Sequence, residues 1–506
     1  MNISKQQIKD FLVAFSLVNL CFMRVWEAIL SSQNYFFQKI PLSTLDFYAL
    51  IINAIFFSSC FYLLIRLIRK STSNKIKIVA ATVLLIFALI PLNLIRLSLH
   101  LRFVNSLNYP IILIILVVIL FAFLSYVIKS HPQTLLKTIY IILLLLSPLG
   151  FINAIKGLSS LKFIYFESTG PKISNNSAIH QKVILLIFDE LDYFNLFISN
   201  QKPNLPNIAE LLENSVFATN AYSPSNQTLL SIPSYIIGQT ILDTQPINEK
   251  DALLTVEGIE NKTLLSTFDS NLFSKISLLD IRTAIIGWHL PYCRLFGKWS
   301  TFCYTESSGL SYDSNDSRFL SKIIKQIQSL SPFFGRLQAI TSYKEILLAT
   351  HEILNKENIN FIYIHWPIPH MPGLYNPITN NLSPFVFKNE YNNNLLLVDK
   401  TLGEIIAKIK KNNNWDETTL IVTADHGWRN RPENEKQWIR RIPFMIKLAG
   451  KNMTYKEINE PFNALILYDL IPALLNKEVS TPDEVANYIN QNKDKFPIID
   501  TSNNVH

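Results

Sequence analysis

The chain has 506 residues, 49% of them hydrophobic and 17% charged, and carries a formal net charge of +8. Soluble domains hold about 25% charged residues, so this composition excludes a disordered, a collagen-like or a small disulfide-stapled chain and implies lipid-facing surface. No basic run is interleaved with aromatics, which argues against nucleic acid as a partner despite the positive balance.

Five apolar runs of about 18–20 residues fill the first third: Phe11–Leu30, Phe47–Ile65, Ile78–Ile95, Pro110–Ile128 and Thr138–Ile155. Each is long enough to cross a roughly 30 Å hydrocarbon core at 1.5 Å per residue. They predict a five-helix transmembrane bundle over residues 1–160. The first run contains Arg24 and Glu27, spaced to neutralise each other on one face or to turn inward toward a lipid headgroup. No small-residue cleavage site follows it, so it does not read as a signal peptide. Nine basic residues (Lys5, Lys9, Arg66, Arg69, Lys70, Lys75, Lys77, Lys129 and Lys137) fall on one side of the spans, against Lys39, Arg96 and Arg102 on the other. The richer side belongs in the cytoplasm, which places everything after the fifth span outside a bacterial-type plasma membrane.

A polar stretch at residues 161–180 reads as a linker, 181–480 as one exported domain, and 481–506 as a polar tail. Cys21 and Cys60 lie within spans. Cys293 and Cys303 are ten apart in the exported part, where a bridge can persist and is worth roughly 3 kcal/mol; two free thiols are the alternative. In the exported domain short apolar runs (Val183–Phe188, Thr283–Ile286, Phe361–Ile364, Leu420–Val422) alternate with helical stretches such as Asn207–Asn214 and Leu395–Lys411. That alternation predicts an α/β/α layering around a mostly parallel sheet, with chemistry just past the strands' carboxyl ends. Asp189, His289, His365 and Asp425-His426 all fall at such ends.

Asp189, Asp425 and His426 offer carboxylate and imidazole ligands suited to Zn²⁺ or Mn²⁺. Adjacent Asp and His reach one ion only if the backbone turns sharply, which Gly427 would allow. Thr228 stands before an apolar helical stretch, where its hydroxyl is either a nucleophile favoured by an ion and the helix dipole or a plain N-cap.

Five segments carry a family resemblance: Val183–Asp189, Pro203–Gly238, the Trp366–Pro372 stretch W-P-I-P-H-M-P, Tyr391–Gly427 ending T-A-D-H-G, and Arg441–Lys447. In this order they resemble the sulfatase-like branch of the alkaline phosphatase superfamily. The departures are specific. Thr228 stands where sulfatases carry the Cys or Ser that becomes formylglycine. Gly287-Trp288-His289 lacks the family's lysine, and Glu190 replaces a second Asp. Thr228–Pro233, reading T-x-x-S-x-P, looks like the nucleophile segment of phosphoethanolamine transferases. Those enzymes, like lipoteichoic acid synthases, also carry a five-span anchor.

The resemblance implies one divalent ion, Zn or Mn, on Asp189, Asp425, His426 and Thr228, with room for a second metal. Thr228 would take a phosphorylated headgroup from a membrane phospholipid and pass it to an envelope glycan or lipid. His365 and His370 would supply hydrogen bonds or the leaving-group proton. His289 and Glu190 would touch substrate, Glu190 also standing as a base or ligand behind the ion. The protein is expected to act as a monomer. The alternatives are a hydrolase of phosphoric or sulfuric esters on the same fold and a binding protein without turnover.

Overall fold

The computed structural model describes residues 4–40, 42–73, scattered positions between 75 and 91, 132–160, 181–307, 312, 318–386, 388–431, 438–451 and 454–499. Most of the run Ile78–Ile95, all of Pro110–Ile128 and the linker 161–180 lie outside the described residues. The chain divides into two units, and two segments cross the expected boundary. Phe36–Lys39 belongs to the catalytic unit and Gly309–Gly335 to the helical one.

In the helical unit, α1 (Lys5–Cys21) starts at a capping box in which the Ser4 hydroxyl accepts from Gln7 N and the Gln7 side chain accepts from Ser4 N. The first apolar run is not one straight span, because α1 and α2 (Met23–Leu30) meet at Phe22 with a 68° bend. Glu27 on α2 is exposed. α3 (Thr44–Lys70) and residues 137–158 of α4 (Pro132–Ser160) are long and apolar enough to cross a bilayer. Among the described residues this makes two spans, or three if the bent pair counts as one. Buried Asp10 accepts from Arg69 (3.0 Å) and from the Tyr140 hydroxyl (2.9 Å), bringing the start of α1, the end of α3 and the early part of α4 to one end.

The catalytic unit is built on a sheet of eight strands among the described residues. In chain order these are β1 (Lys182–Asp189), β2 (Val216–Ala218), β3 (Thr283–Trp288), β4 (Phe302–Glu306), β5 (Phe361–Pro369), β6 (Thr418–Ala424), β7 (Phe444–Lys447) and β8 (Lys456–Ile458). Their spatial order is β8-β2-β7-β6-β1-β5-β3-β4. β1 pairs in parallel with both β5 and β6, and only β7 runs antiparallel to its neighbours. Seven of the eight β1 residues are buried, so the strand reads as a continuous apolar run rather than an alternation. α5 (Pro206–Glu213) has Pro206 in its first turn, and α6 (Thr228–Ile237) ends on Gly238 in the left-handed region. α7 (Phe319–Gln328) lies in the helical unit. α8 (Phe334–Leu354) follows it, and α9 (Glu390–Lys411) begins five residues before the predicted start.

The expected polar tail is partly a docked helix, α10 (Pro482–Asn492), closed by a Thr481/Glu484 capping box and burying Val485 and Ile489. Cys293 and Cys303 are bridged, fastening a short turn of helix to β4. Replacing both by Ser should lower the unfolding free energy by roughly 3 kcal/mol, the loop-closure value, as read by thermal denaturation of purified protein.

Candidate active site

Parallel pairing of β1 with β6 in register, Phe188 beside Ala424, brings the residues that follow each strand to one edge. Asp189 closes β1, and Asp425 and His426 directly follow β6. One ligand atom from each of these three buried residues falls within 4.8 Å of the others. The Thr228 hydroxyl, on the first residue of α6, lies 3.2 Å from His426 Nε2 and 3.5 Å from Asp189 Oδ1. Gln227, not Thr228, holds the N-cap position. The hydroxyl therefore faces the cluster and caps nothing.

The T-x-x-S-x-P spacing has a local physical basis. Ser231 Oγ accepts from Ser225 N and donates to Ser225 O, closing the loop that feeds α6. Pro233 has no N–H for the carbonyl of Leu229, and the Thr244 hydroxyl donates to that carbonyl instead, at 3.0 Å. Both devices fix the first turn, and with it Thr228.

The donor set fits a divalent cation. Nδ1 of His426 lies 2.8 Å from Gly427 O, which can only accept, so Nδ1 carries the proton and Nε2 is bare. Nε2 faces Asp425 Oδ2 at 3.4 Å and Asp189 Oδ1 at 3.8 Å, a lone pair against carboxylates. Asp189 Oδ2 and Asp425 Oδ2 are buried without a hydrogen-bond partner. Asp425 Oδ1 accepts from Glu190 N (3.0 Å) and His426 N (2.7 Å), which orients the carboxylate and leaves its other oxygen for an ion. Burial, reinforced by the charges of Asp425 and Glu190, lifts the Asp189 carboxyl well above the usual carboxylate range.

Other sequence candidates divide. His365 is fully buried in β5, with Nδ1 3.1 Å from Trp288 O and 2.9 Å from the Tyr292 hydroxyl. Its proton is held on that side, and burial pushes the ring down to about 4. It is therefore neutral, with a bare Nε2, and cannot supply a proton toward substrate from that atom. His370 follows β5 half-buried, its N donating to Asp189 O at 3.2 Å. Its loop is held by Asn394 Nδ2, which donates to the carbonyls of Pro369, His370 and Pro372. His289 follows β3 in the left-handed region (φ 73°), with Nδ1 buried and without a hydrogen-bond partner. Its ring packs 4.9 Å from Phe37. Glu190 is not among the three clustered residues; its Oε1 accepts from Arg429 Nε at 2.8 Å, and its Oε2 is buried without a hydrogen-bond partner.

Sequence reasoning missed Arg429, whose guanidinium also lies 3.4 Å from His370 Nε2. The signal was a basic residue two positions beyond the Asp-His-Gly turn. It also missed the buried ion pair of Asp192 and Arg431, which ties the loop after β1 to the loop after β6. Gly427 needs a different reason from the one expected. Its φ is not left-handed; a Cβ there would meet Asp192 Oδ2 and Ile439 O, each at 2.7 Å.

A family model described as Sulfatase matches residues 181–476, more than half of the chain. The multifunctional alkaline phosphatase superfamily protein PehA of Trinickia caryophylli is 33% identical over 84 residues, 15% of this chain and 16% of that protein. The match thus spans well under a fifth of that relative's length. Among solved structures, Ps i-CgsB is similar at 17% identity and TM-score 0.44, covering 62% of this chain and 76% of that one. A protein of the alkaline phosphatase superfamily from Vibrio parahaemolyticus is similar at 15% identity and TM-score 0.41, covering 60% and 68%.

Two predictions follow from the packing and charge of this edge. Gly427→Ala should destabilise by about 1–3 kcal/mol through overpacking against Asp192 and Ile439, read as a fall in chemical-denaturation midpoint. Burial also holds His289 and His426 down at about 3. Unfolded imidazoles take protons below about 6.5. The three buried ones therefore contribute stability that is lost as pH falls from 6.5 toward their folded values. Asp189, Asp192 and Asp399, whose carboxyls burial raises, act in the opposite sense, so the imidazole contribution is read by comparing a variant with its parent. In metal-stripped protein the imidazole contribution to stability should fall between pH 7 and 5. The loss should be shallower in His365→Gln by on the order of 1.4 kcal/mol per pH unit, compared by denaturation at each pH.

Proposed function

The chain belongs to the sulfatase family, and from that premise we propose that it is a membrane-anchored transferase moving a phosphorylated headgroup from a phospholipid to an envelope glycan or lipid. That it is an enzyme of the sulfatase and alkaline phosphatase superfamily follows from the family itself. The observation supporting the finer reading is the Thr228 hydroxyl at 3.2 Å from His426 and 3.5 Å from Asp189, on a side chain that cannot become formylglycine.

Asp189, Asp425 and His426 would hold one divalent cation, Zn²⁺ or Mn²⁺, with Thr228 Oγ1 beside them. When bound, the ion lowers the hydroxyl's pKa and neutralises charge on the phosphoryl oxygens. Thr228 Oγ attacks phosphorus, the bond from phosphorus to the diacylglycerol oxygen breaks, and the headgroup stays on Thr228 as a phosphodiester. The proton leaving Thr228 ends on the diacylglycerol oxygen, and His370, half-buried at the edge of the site, is the imidazole assigned to carry it. An acceptor hydroxyl then displaces Thr228 from phosphorus, and Thr228 regains its proton. Arg429, between Glu190 and His370, is placed to pair with a phosphoryl oxygen. His289 contributes a further contact to substrate.

The anchor supports the reading, because a lipid donor then never has to leave the bilayer. The basic residues near the shared end of α1, α3 and α4 match a cytoplasmic end, and the disulfide matches an exported domain. In this reading the protein is a multi-pass, monomeric protein of a bacterial-type plasma membrane.

The test is intact-protein and peptide mass spectrometry after incubation with Mn²⁺ or Zn²⁺ and vesicles of phosphatidylethanolamine and phosphatidylglycerol. A headgroup-mass adduct on Thr228, with diacylglycerol release, is expected. Thr228→Ala should lose the adduct and about a thousandfold or more of the turnover. A fully active Thr228→Ala protein overturns the mechanism. Headgroup released to water at the same rate with and without acceptor selects the hydrolase instead.

A further inference from the structure

An ordinary surface helix buries its apolar stripe and shows its polar one. α7 does the reverse. Lys322 and Gln326 are 3% and 0% exposed, whereas Leu320, Ile324 and Ile327, spaced to share one face, are 67%, 47% and 38% exposed. The buried polar side is fastened to α3 of the same unit. Lys322 Nζ donates to Asp46 Oδ2 at 2.8 Å, and Gln326 Nε2 to Asp46 O at 2.8 Å. Asn53 Nδ2 donates to Gln326 Oε1 at 2.9 Å and to Ile323 O at 3.2 Å. The Tyr312 hydroxyl closes on the other oxygen of Asp46.

These contacts run along α3 from Asp46 to Asn53, roughly 10 Å at 1.5 Å per residue, within a helix long and apolar enough to cross a bilayer. Over the same stretch α3 exposes Leu45, Tyr48, Ile52, Ile55 and Phe56. In water, α7 would leave three large aliphatic side chains wet while burying a lysine. Against lipid both arrangements are favourable, since the lysine has its carboxylate and the aliphatics have acyl chains.

We propose that α7 is a lipid-facing helix, its Leu320, Ile324 and Ile327 face lying among phospholipid acyl chains where the bilayer surrounds the first part of α3. α7 is thus a membrane-embedded helix inside the catalytic sequence. The proposal does not depend on the role of Thr228.

The test uses full-length protein with Cys21 and Cys60 replaced by Ser and the Cys293–Cys303 bridge intact. Ile324→Cys and, separately, Leu320→Cys carry a bimane label in vesicles of phosphatidylethanolamine and phosphatidylglycerol. Ile378→Cys, at a position 94% exposed in the catalytic unit, is the water-facing control. Phosphatidylcholine bearing a doxyl group near the top of the acyl chain should quench positions 320 and 324 at least twofold more than position 378. Iodide should show the opposite order. Iodide quenching at 320 and 324 equal to that at 378 overturns the proposal. So does protection from both quenchers, which would mean that protein rather than lipid covers the face.

Discussion

Two carboxylates buried side by side set the terms for the catalytic unit. Asp189 and Asp425 stand at the ends of adjacent parallel strands, 1% and 0% exposed, so two like charges share a dry space. Such a pair persists only if hydrogen bonds or a cation stabilise it. Part of the stabilisation is local, since Asp425 accepts the N–H groups of Glu190 and His426. The remaining oxygens converge with a bare imidazole nitrogen and one hydroxyl, an arrangement whose natural complement is a positive ion. The surrounding scaffold serves this convergence. The Tyr391 hydroxyl fixes the carbonyl of Glu190, the Tyr235 hydroxyl fixes that of Ala424, and Asn394 gathers three carbonyls of the loop bearing His370.

The nucleophile proposed for this site depends on the same constraint. Thr228 is useful only while the first turn of α6 stays where the carboxylates are, and the turn that follows contains a proline, which has no N–H for the carbonyl of Leu229. Thr244 supplies the hydrogen bond that Pro233 withholds from Leu229 O, and Ser231 ties the loop before the helix through Ser225. The start of α6 is therefore held from both sides, by Ser225 before it and Thr244 after it.

Much of this was legible in the residues. The central strands announce themselves as short unbroken apolar runs, and the Asp-His-Gly turn after one of them points to the buried Asp189, Asp425 and His426 cluster, because strand ends in a parallel sheet gather at one edge. What escaped did so for physical reasons. The first apolar run hides a bend at Phe22, since hydropathy records composition and not direction. The helix after residue 481 reads as part of a polar tail, although Thr481, Pro482 and Glu484 spell a start signal, because its buried residues are few and spaced among polar ones. Arg429 was passed over because a basic residue after the Asp-His-Gly turn has no periodicity to betray it. His365 sat at the expected place, but its proton could be located only once the carbonyl of Trp288 was seen against Nδ1.

The exchange of segments between the two units bears on how the protein can be divided. Glu306 is fully buried, and Lys39 meets its carboxylate at 2.6 Å from a stretch far upstream of the catalytic sequence. The Arg294 guanidinium is likewise anchored on the carbonyls of Phe36, Gln38 and Lys39. A fragment cut after the spans would strand an acid in the interior and deprive a guanidinium of three acceptors. A helical fragment ending at residue 160 would lack the lysine that answers Asp46. The gene order therefore misleads as a guide to autonomous pieces, and a durable soluble form would need these lost partners restored or their counterparts neutralised.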